Sequence, residues 1–369
     1  MASGAWSVLR TTGDAPTPRG GHTSTLVEKN LLLMGGVVGA KAGTFEYFPL
    51  DPLVLNTETL AWFRPRVALG KGPIPRAYHT ATRVGSSLYV VGGQCSPKSM
   101  GCYTGVLGDM PVFDLVQMSW GTKDTRGKPP SARYWHTAAL LEGKLIIVGG
   151  FDGKKVRAPR NSAQLCPPRN RRNSVRRALR RPRISPPPPP ARAQSLGDVL
   201  VLDLETHLWN SPRCGGEVAP PLCTHSCTAV GERLFVFGGR EVTEDDEGHT
   251  YSTTSADVRV LDTATFEWSR MRKRGAVPAA RGYHTSTLVG GYLLVLGGWG
   301  KAAPEGLQVL STLDLEGVGS WYTVQVPGQA PPPMYGHSST LIGGKVVVFG
   351  GWDGVSPLAS VHVLDTAQL

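Results

Sequence analysis

Residues 78–93 read YHTATRVGSSLYVVGG, and residues 283–298 read YHTSTLVGGYLLVLGG. A histidine near the start of each stretch is followed fourteen residues later by the second glycine of a doublet, with two apolar runs between them. The same frame runs from His22 to Gly35–Gly36, from His136 to Gly149–Gly150, from His225 to Gly238–Gly239 and from His337 to Gly350–Gly351. His79 and His284, with Gly92–Gly93 and Gly297–Gly298, complete a set of six. Successive doublets lie 57, 57, 89, 59 and 53 residues apart, a period that marks a repeat architecture. Short runs rich in Val, Leu and Thr, separated by one turn, predict a β-hairpin in each unit.

A third strand carries its own signature. Asp51, Asp109, Asp198 and Asp257 each precede a tryptophan by eleven residues: Trp62, Trp120, Trp209 and Trp268. The fifth unit departs from it, with Leu310 eleven residues before Trp321 and Asp314 out of phase. Each tryptophan opens a fourth strand, and a Pro-containing linker then leads to the next histidine. Four antiparallel strands repeated six times predict a β-propeller, in which radial repetition leaves only short, protected edges.

The doublet glycines, the later tryptophan and the strands between them resemble the kelch repeat, whose period is about 50 residues. The resemblance covers essentially the whole chain. It implies an all-β, six-bladed β-propeller as a single domain over 1–369, with repeats near 19–62, 76–120, 133–209, 222–268, 281–321 and 334–369 plus 1–12. The last repeat ends at its third strand, SVHVLDT, and the tryptophan expected after Asp365 would fall past the final residue. Trp6 in AWSVLRT stands instead ahead of the first histidine. Residues 5–11 are therefore expected to supply the outermost strand of the last blade. The doublets are read as positions of positive φ or close backbone approach, and the six tryptophans as inter-blade packing with the indole N–H reaching a carbonyl.

The repeated histidines are read as structural hydrogen-bonding groups, since one per blade at one position spreads them around the ring. Arg19, Arg76, Arg133 and Arg281 stand three residues before their histidines, with Leu222 and Met334 in the other two units. Contacts to inter-blade carbonyls are expected of them. Cys223, His225 and Cys227 share a face on an extended strand, but the spacing is not that of a zinc site and no fourth ligand is evident. No phosphate loop, nucleophile elbow or metal-binding helix pair is present. Some kelch-like propellers are enzymes, among them copper oxidases resembling galactose oxidase and sugar-acid isomerases. The copper site needs a cross-linked tyrosine and cysteine with two histidines, a set that finds no place on this repeat. A non-catalytic, monomeric scaffold without metal or cofactor is therefore expected, binding a protein partner that the sequence does not name.

Recognition is expected on variable loops of a rigid scaffold. The loops after the doublets differ: 43–48 is aromatic and includes Phe45 and Tyr47, 95–103 is polar, and 241–249 carries five acids that favour a basic partner. The blade-linking segments add Tyr78, Tyr134, Trp135, Tyr283 and Tyr335 beside the histidines, residue types that anchor interfaces. A peptide or small domain held over the central opening is the expected ligand, and alanine at Tyr78, Trp135 and Tyr283 is expected to abolish capture with an unchanged melt.

No run reaches the length of a membrane-spanning helix, and the first twelve residues hold no apolar stretch of a secretory signal. A cytoplasmic or nuclear protein with Cys95, Cys102, Cys166, Cys214, Cys223 and Cys227 reduced is expected. The chain carries a formal charge of +11, and the segment 156–194 alone holds eleven arginines, no acid and the run Pro186–Pro190. The rest of the propeller is neutral. An arginine-rich disordered arm that binds nucleic acid or another anionic partner is one reading, and a Pro-rich tail docking an SH3-type groove is another. A translated intron is the third: excision restores the nine-residue spacing from doublet to third strand found between Gly351 and Ser360. Sequencing the transcript across this junction separates them. A spliced message lacking these codons removes the nucleic-acid reading, and a message that always carries them keeps it.

Overall fold

The computed structural model describes residues 5–39, 44–68, 72–97, 105–153, 194–245, 249–300, 308–311 and 318–367. The elements given bounds there are all strands, and most of them sort into six sheets of four or five strands. Each large sheet repeats one plan. In the second, Thr80–Val84 pairs with Ser87–Val91, which pairs with Pro111–Asp114, which pairs with Ser119–Thr122, all antiparallel. Two residues turn each inner hairpin, and the first of them has positive φ: Glu28, Gly85, Glu142, Gly231, Gly290 and Gly343 lie between 46° and 57°. That geometry matches the right-handed twist of the flanking strands.

The outer turn has a different device. The side chains of Asn56, Asp114, Asp203 and Asp262 each accept two backbone N–H bonds, from the residues two and three further on. These Asx turns set Leu55 opposite Trp62, Phe113 opposite Trp120, Leu202 opposite Trp209 and Leu261 opposite Trp268. In the fifth sheet Leu310 pairs with Trp321 across eleven residues, where the other four need seven. The irregular fifth unit is thus a lengthened outer turn. Leu310 stands at the tryptophan-facing position, and the place of the missing aspartate falls outside the described residues.

Most of the core lies between sheets. Six hydrophobic clusters each join one sheet to the next, and each includes an outer-strand tryptophan. Trp62 packs with Val347, Phe349, Val361 and Val363; Trp209 with Tyr89, Val91 and Val112; Trp268 with Ile146, Val148, Val199 and Val201. Trp321 and Trp6 meet the sheets before theirs in the same way, and half-buried Trp120 packs at the edge of its cluster. The indole N–H does not share one role. Trp120 donates to Asp51 at 2.9 Å, whereas the indole N–H groups of Trp62 and Trp321 are buried with no partner among the described residues. Burial of the ring, not a recurring hydrogen bond, is the common feature.

Trp6–Val8 pairs antiparallel with Val361–Asp365, setting Trp6 opposite Leu364 and Val8 opposite His362. Trp6 is buried, its backbone N–H donates to the carbonyl of Pro327, and its own carbonyl accepts from the backbone N–H of Gln329. The strand at this edge is shorter than the stretch 5–11. The 156–194 segment lies almost wholly outside the described residues, but its flanks do not: Lys144–Phe151 pairs with Ser195–Asp203, with Phe151 opposite Ser195. Deleting residues 1–12 removes an outer strand and a buried tryptophan. A Trp6→Ala change alone should cost about 3–5 kcal/mol, and both variants should melt well below the intact chain. An unchanged melting temperature for the deletion would contradict this role of the terminal strand.

Candidate functional site

The six inner strands begin at the axis, and the residues just before the histidines line its mouth. Gly21, Tyr78, Trp135, Thr224, Tyr283 and Gly336 all take left-handed φ, between 57° and 66°. For the four that are not glycine this conformation costs roughly 1–2 kcal/mol each. A closed set of backbone bonds holds them there. The N–H of Tyr78 donates to Gly21, Trp135 to Tyr78, Thr224 to Trp135, Tyr283 to Thr224, Gly336 to Tyr283 and Gly21 to Gly336, at 2.7 to 3.2 Å.

A second set lies one residue deeper. All six histidines are buried, and each Nε2 meets a hydroxyl on a neighbouring inner strand: His22 with Ser338, His79 with Thr23, His136 with Thr80, His225 with Thr137, His284 with Ser226 and His337 with Thr285. Nδ1 of His22, His136, His225 and His284 faces the carbonyl of Phe349, Val91, Val148 and Phe237, short of full hydrogen-bond geometry. A neutral ring with its proton on Nδ1 suits this setting, Nε2 accepting from the hydroxyl. Burial, the largest effect, pushes His22, His136 and His284 down to about 3 and His225 and His337 to about 4; His79 moves in the same direction.

The glycine doublets supply a third set. The second glycine donates to the carbonyl at the arginine position of the following unit: Gly36 to Arg76, Gly93 to Arg133, Gly150 to Leu222, Gly239 to Arg281, Gly298 to Met334 and Gly351 to Arg19, at 2.8 to 2.9 Å. A Cβ on Gly92 would overlap the Arg133 carbonyl oxygen, so the close approach requires glycine. The arginines reach into their own units, not across to the next. Nη1 of Arg19, Arg76, Arg133 and Arg281 donates to the carbonyl of Gly35, Gly92, Gly149 and Gly297. Arg76 and Arg133 also grip Asp109 and Asp198 with two bonds each, which accounts for the aspartate eleven residues before the tryptophan in those units.

Above these sets the aromatic side chains form a continuous line. Trp299 lies 5.2 Å from Tyr335, Tyr335 6.0 Å from Tyr283, Tyr283 5.4 Å from Trp135, and Trp135 5.6 Å from Tyr78, centroid to centroid. Tyr78, Trp135 and Tyr283 border an opening of about 260 Å³ whose other walls are Gly21, Thr224, Thr285, Gly336 and the histidines. Burial raises the Tyr78 and Tyr283 hydroxyls above the usual tyrosine value, and the Arg240 guanidinium near Tyr283 opposes that rise there. Tyr335 stands one residue earlier in its unit than Tyr78 does, because Gly336 occupies the mouth position there.

The sequence-based set is not uniform in place. Tyr134 is buried and packs beneath Trp135 at 4.4 Å, so it supports the rim and is not presented by it. Phe45 and Tyr47 lie on a hairpin, Val37–Gly39 with Phe45–Tyr47, and Phe45 is 60% exposed. The acidic stretch is also a hairpin in part, Arg240–Glu244 with Thr250–Thr254, while 246–248 lie outside the described residues, as do 98–104 of the polar loop. An unchanged melt for alanine at Tyr78, Trp135 and Tyr283 does not suit this geometry: alanine keeps the strained φ and loses the ring packing. Trp299 belongs to the line although it is absent from the sequence-based set; its signal is its place directly after a doublet, which Trp352 shares. Cys223 donates to the Arg240 carbonyl, the Cys227 thiol is pushed up to about 12 by burial, and no metal-holding cluster occurs among the described residues.

The family model described as the KLHDC2/KLHL20/DRC7 Kelch-repeats domain matches residues 1–162 and 190–369. The chain belongs to this kelch-repeat family. Residues 163–189, in the heart of the arginine- and proline-rich segment, fall outside the match. Acyl-CoA-binding domain-containing protein 5 of Arabidopsis thaliana is 25% identical over 95% of the chain and 47% of its own length. Kelch domain-containing protein 2 of Bos taurus is 24% identical over 91% of the chain and 76% of its own length, and the human Kelch domain-containing protein 3 is 24% identical over 78% and 66%. The chain spans about half the length, or less, of the first curated relatives it matches. Among solved structures, YjhT superposes with a TM-score of 0.60 over 97% of both chains at 15% identity, a likeness of fold.

The buried histidines give the fold a pH dependence of fixed sign. Unfolded, each titrates near 6.5; folded, each resists protonation until much lower pH. The unfolded chain therefore binds protons below about pH 6.5 that the fold excludes, and stability present above that pH is lost as pH falls toward the folded values. By pH 5 the loss should be on the order of 1–2 kcal/mol per ring. The melting temperature should be level above about pH 7.5 and drop steeply between about pH 6.5 and 4; a flat profile across that window would mean that the rings are charged in the fold.

Proposed function

We propose that the six sheets are the blades of one closed ring over the whole chain, the N-terminal strand completing the last blade, and that this ring is a non-catalytic module that binds a protein partner through the aromatic face. Kelch propellers commonly serve as protein-interaction modules. The observation that carries the reading is the line of five aromatic side chains around the mouth, flanked by exposed Phe45 on a neighbouring hairpin. Aromatic residues of this kind supply large contact area at little cost in side-chain entropy.

The chemistry of the opening supports binding over catalysis. Its histidines are neutral, buried and engaged with hydroxyls, and burial pushes its tyrosines away from neutral pH. A general acid or base needs a value near working pH and reach to a substrate. Asp245, in the acidic hairpin, accepts from His249 and from the Tyr251 hydroxyl, which leaves a negative edge suited to a basic partner.

Phe45→Ala with Trp299→Ala removes two exposed rings, 60% and 40% accessible, without touching the mouth residues. The immobilised double variant should lose a protein partner that the unaltered chain retains, with stability changed by no more than about 1 kcal/mol. Val116→Ser, in an outer turn at the opposite end of the strands and 78% exposed, is the control and should retain it. Equal capture by the double variant, or loss with the control alone, would overturn the assignment of this face.

A further inference from the structure

We propose that the third sheet carries a second binding site, a lateral cleft for a free α-amino acid with an apolar side chain, its ammonium on Asp198 and its carboxylate on Lys128. The linker strand Arg126–Gly127 runs parallel to Leu208–Asn210 and brings Lys128 and Ser131 to a cleft shared with Asp198, Trp209 and Ser211. None of the residues bordering the mouth lines it. Its volume is about 210 Å³. Pockets for drug-sized ligands begin near roughly 300 Å³, so the occupant is a compact molecule.

The negative pole is Asp198. Arg133, 1% exposed, grips it through Nη1 and Nη2 at 2.7 and 2.9 Å. The other three N–H groups of Arg133 donate to the carbonyls of Ser131 and Gly149 and to Ser131 Oγ, so the guanidinium has no donor left for an anion. A carboxylate offers about four acceptor sites, and Arg133 takes two of them. The equivalent aspartate of the fourth unit, Asp257, holds two cations at once: Arg270 and the Lys273 ammonium each donate to it at 2.9 Å. In the third unit Ser211 stands at the place of Arg270 and Thr125 at that of Lys273, so the chain supplies no such ammonium there.

The positive pole is Lys128, which lines the same cleft and makes no ion pair among the described residues, Asp198 included. Ser131 Oγ accepts from Arg133, which leaves its O–H to donate, and the Ser211 hydroxyl has no partner among the described residues. Opposite charges that share one small cleft without pairing suit a ligand that carries both. Its carboxylate accepts from the Lys128 ammonium and the serine hydroxyls, and its ammonium donates to Asp198. Phosphate, by contrast, would find no free guanidinium N–H and would face the Asp198 carboxylate. Pro129, Leu200 and Trp209 complete the walls and give an apolar side chain a surface to cover.

The test is an isothermal titration of the full chain with L-leucine at about pH 7, where an α-amino group is largely protonated. N-acetyl-L-leucine, L-leucinamide and inorganic phosphate serve as comparators. Leucine should bind saturably. Acetylation removes the ammonium and amidation the carboxylate, and each should weaken binding roughly ten-fold or more, the loss expected for one charge-assisted contact. Lys128→Gln and Ser211→Ala alter exposed positions and should melt with the unaltered chain. Lys128→Gln should weaken leucine by about the same factor while leaving leucinamide unchanged, and Ser211→Ala should weaken leucine several-fold. No saturable binding of leucine, equal binding of either blocked form, displacement of leucine by an equal concentration of phosphate, or leucine binding indifferent to Lys128→Gln would each overturn the proposal.

Discussion

Each sheet is tied to its neighbour at the axis by a buried neutral histidine that meets a hydroxyl on the adjacent inner strand, and the rest of the structure depends on that tie. The bond fixes how closely two inner strands approach. That approach puts the doublet glycine of one unit against the carbonyl that opens the next, and only a residue without a side chain fits there. It also sets the mouth residues in hydrogen-bonding contact, which holds Tyr78, Trp135, Thr224 and Tyr283 in a conformation that bulky residues avoid. Backbone strain at the mouth is thus offset by hydrogen bonds made around the whole axis.

Away from the axis, the same relation between sheets is maintained by apolar packing. Each outer-strand tryptophan lies against the sheet before its own, and strands two and three supply the opposing Val, Leu and Phe side chains. Here the polar detail varies freely. The Trp120 indole finds Asp51, while those of Trp62 and Trp321 find no partner among the described residues. The arginine–aspartate pairs vary too: Arg76 and Arg133 hold theirs, and Asp257, in a unit with Leu222 in place of arginine, is served by Arg270 and Lys273. Buried charge is tolerated where a partner can be recruited from a neighbouring strand.

The face that bears the aromatic line draws its character from this arrangement. Because every unit delivers one residue to the mouth, the mix of side chains there is set unit by unit: two glycines, one threonine and three aromatics, with Tyr335 and Trp299 extending the line outward. The hairpins at Val37–Gly39 and Arg240–Glu244 stand beside it as local additions to a constant frame. The histidine and glycine positions are constant beneath this face, while the side chains at the mouth differ from unit to unit.

The repeat, the strand plan within it and the positions of His22, Gly36 and Trp62 and their equivalents are legible in the sequence, because they obey spacings imposed by one local geometry. The arginine contacts, expected across units, lie within them, since a spacing gives a position but not the direction of a long side chain. Leu310 looks like a broken motif because a longer outer turn shifts the register, and only strand pairing identifies its true counterpart. Recurrence along the chain is enough to say which residues are buried at the axis and between the sheets. It does not say that Tyr134 lies beneath the rim while Trp299 and Tyr335 join it, and there the assembled fold decides. Residues from separate units meet at the rim through the curvature of the array, and no periodicity along the chain records that meeting.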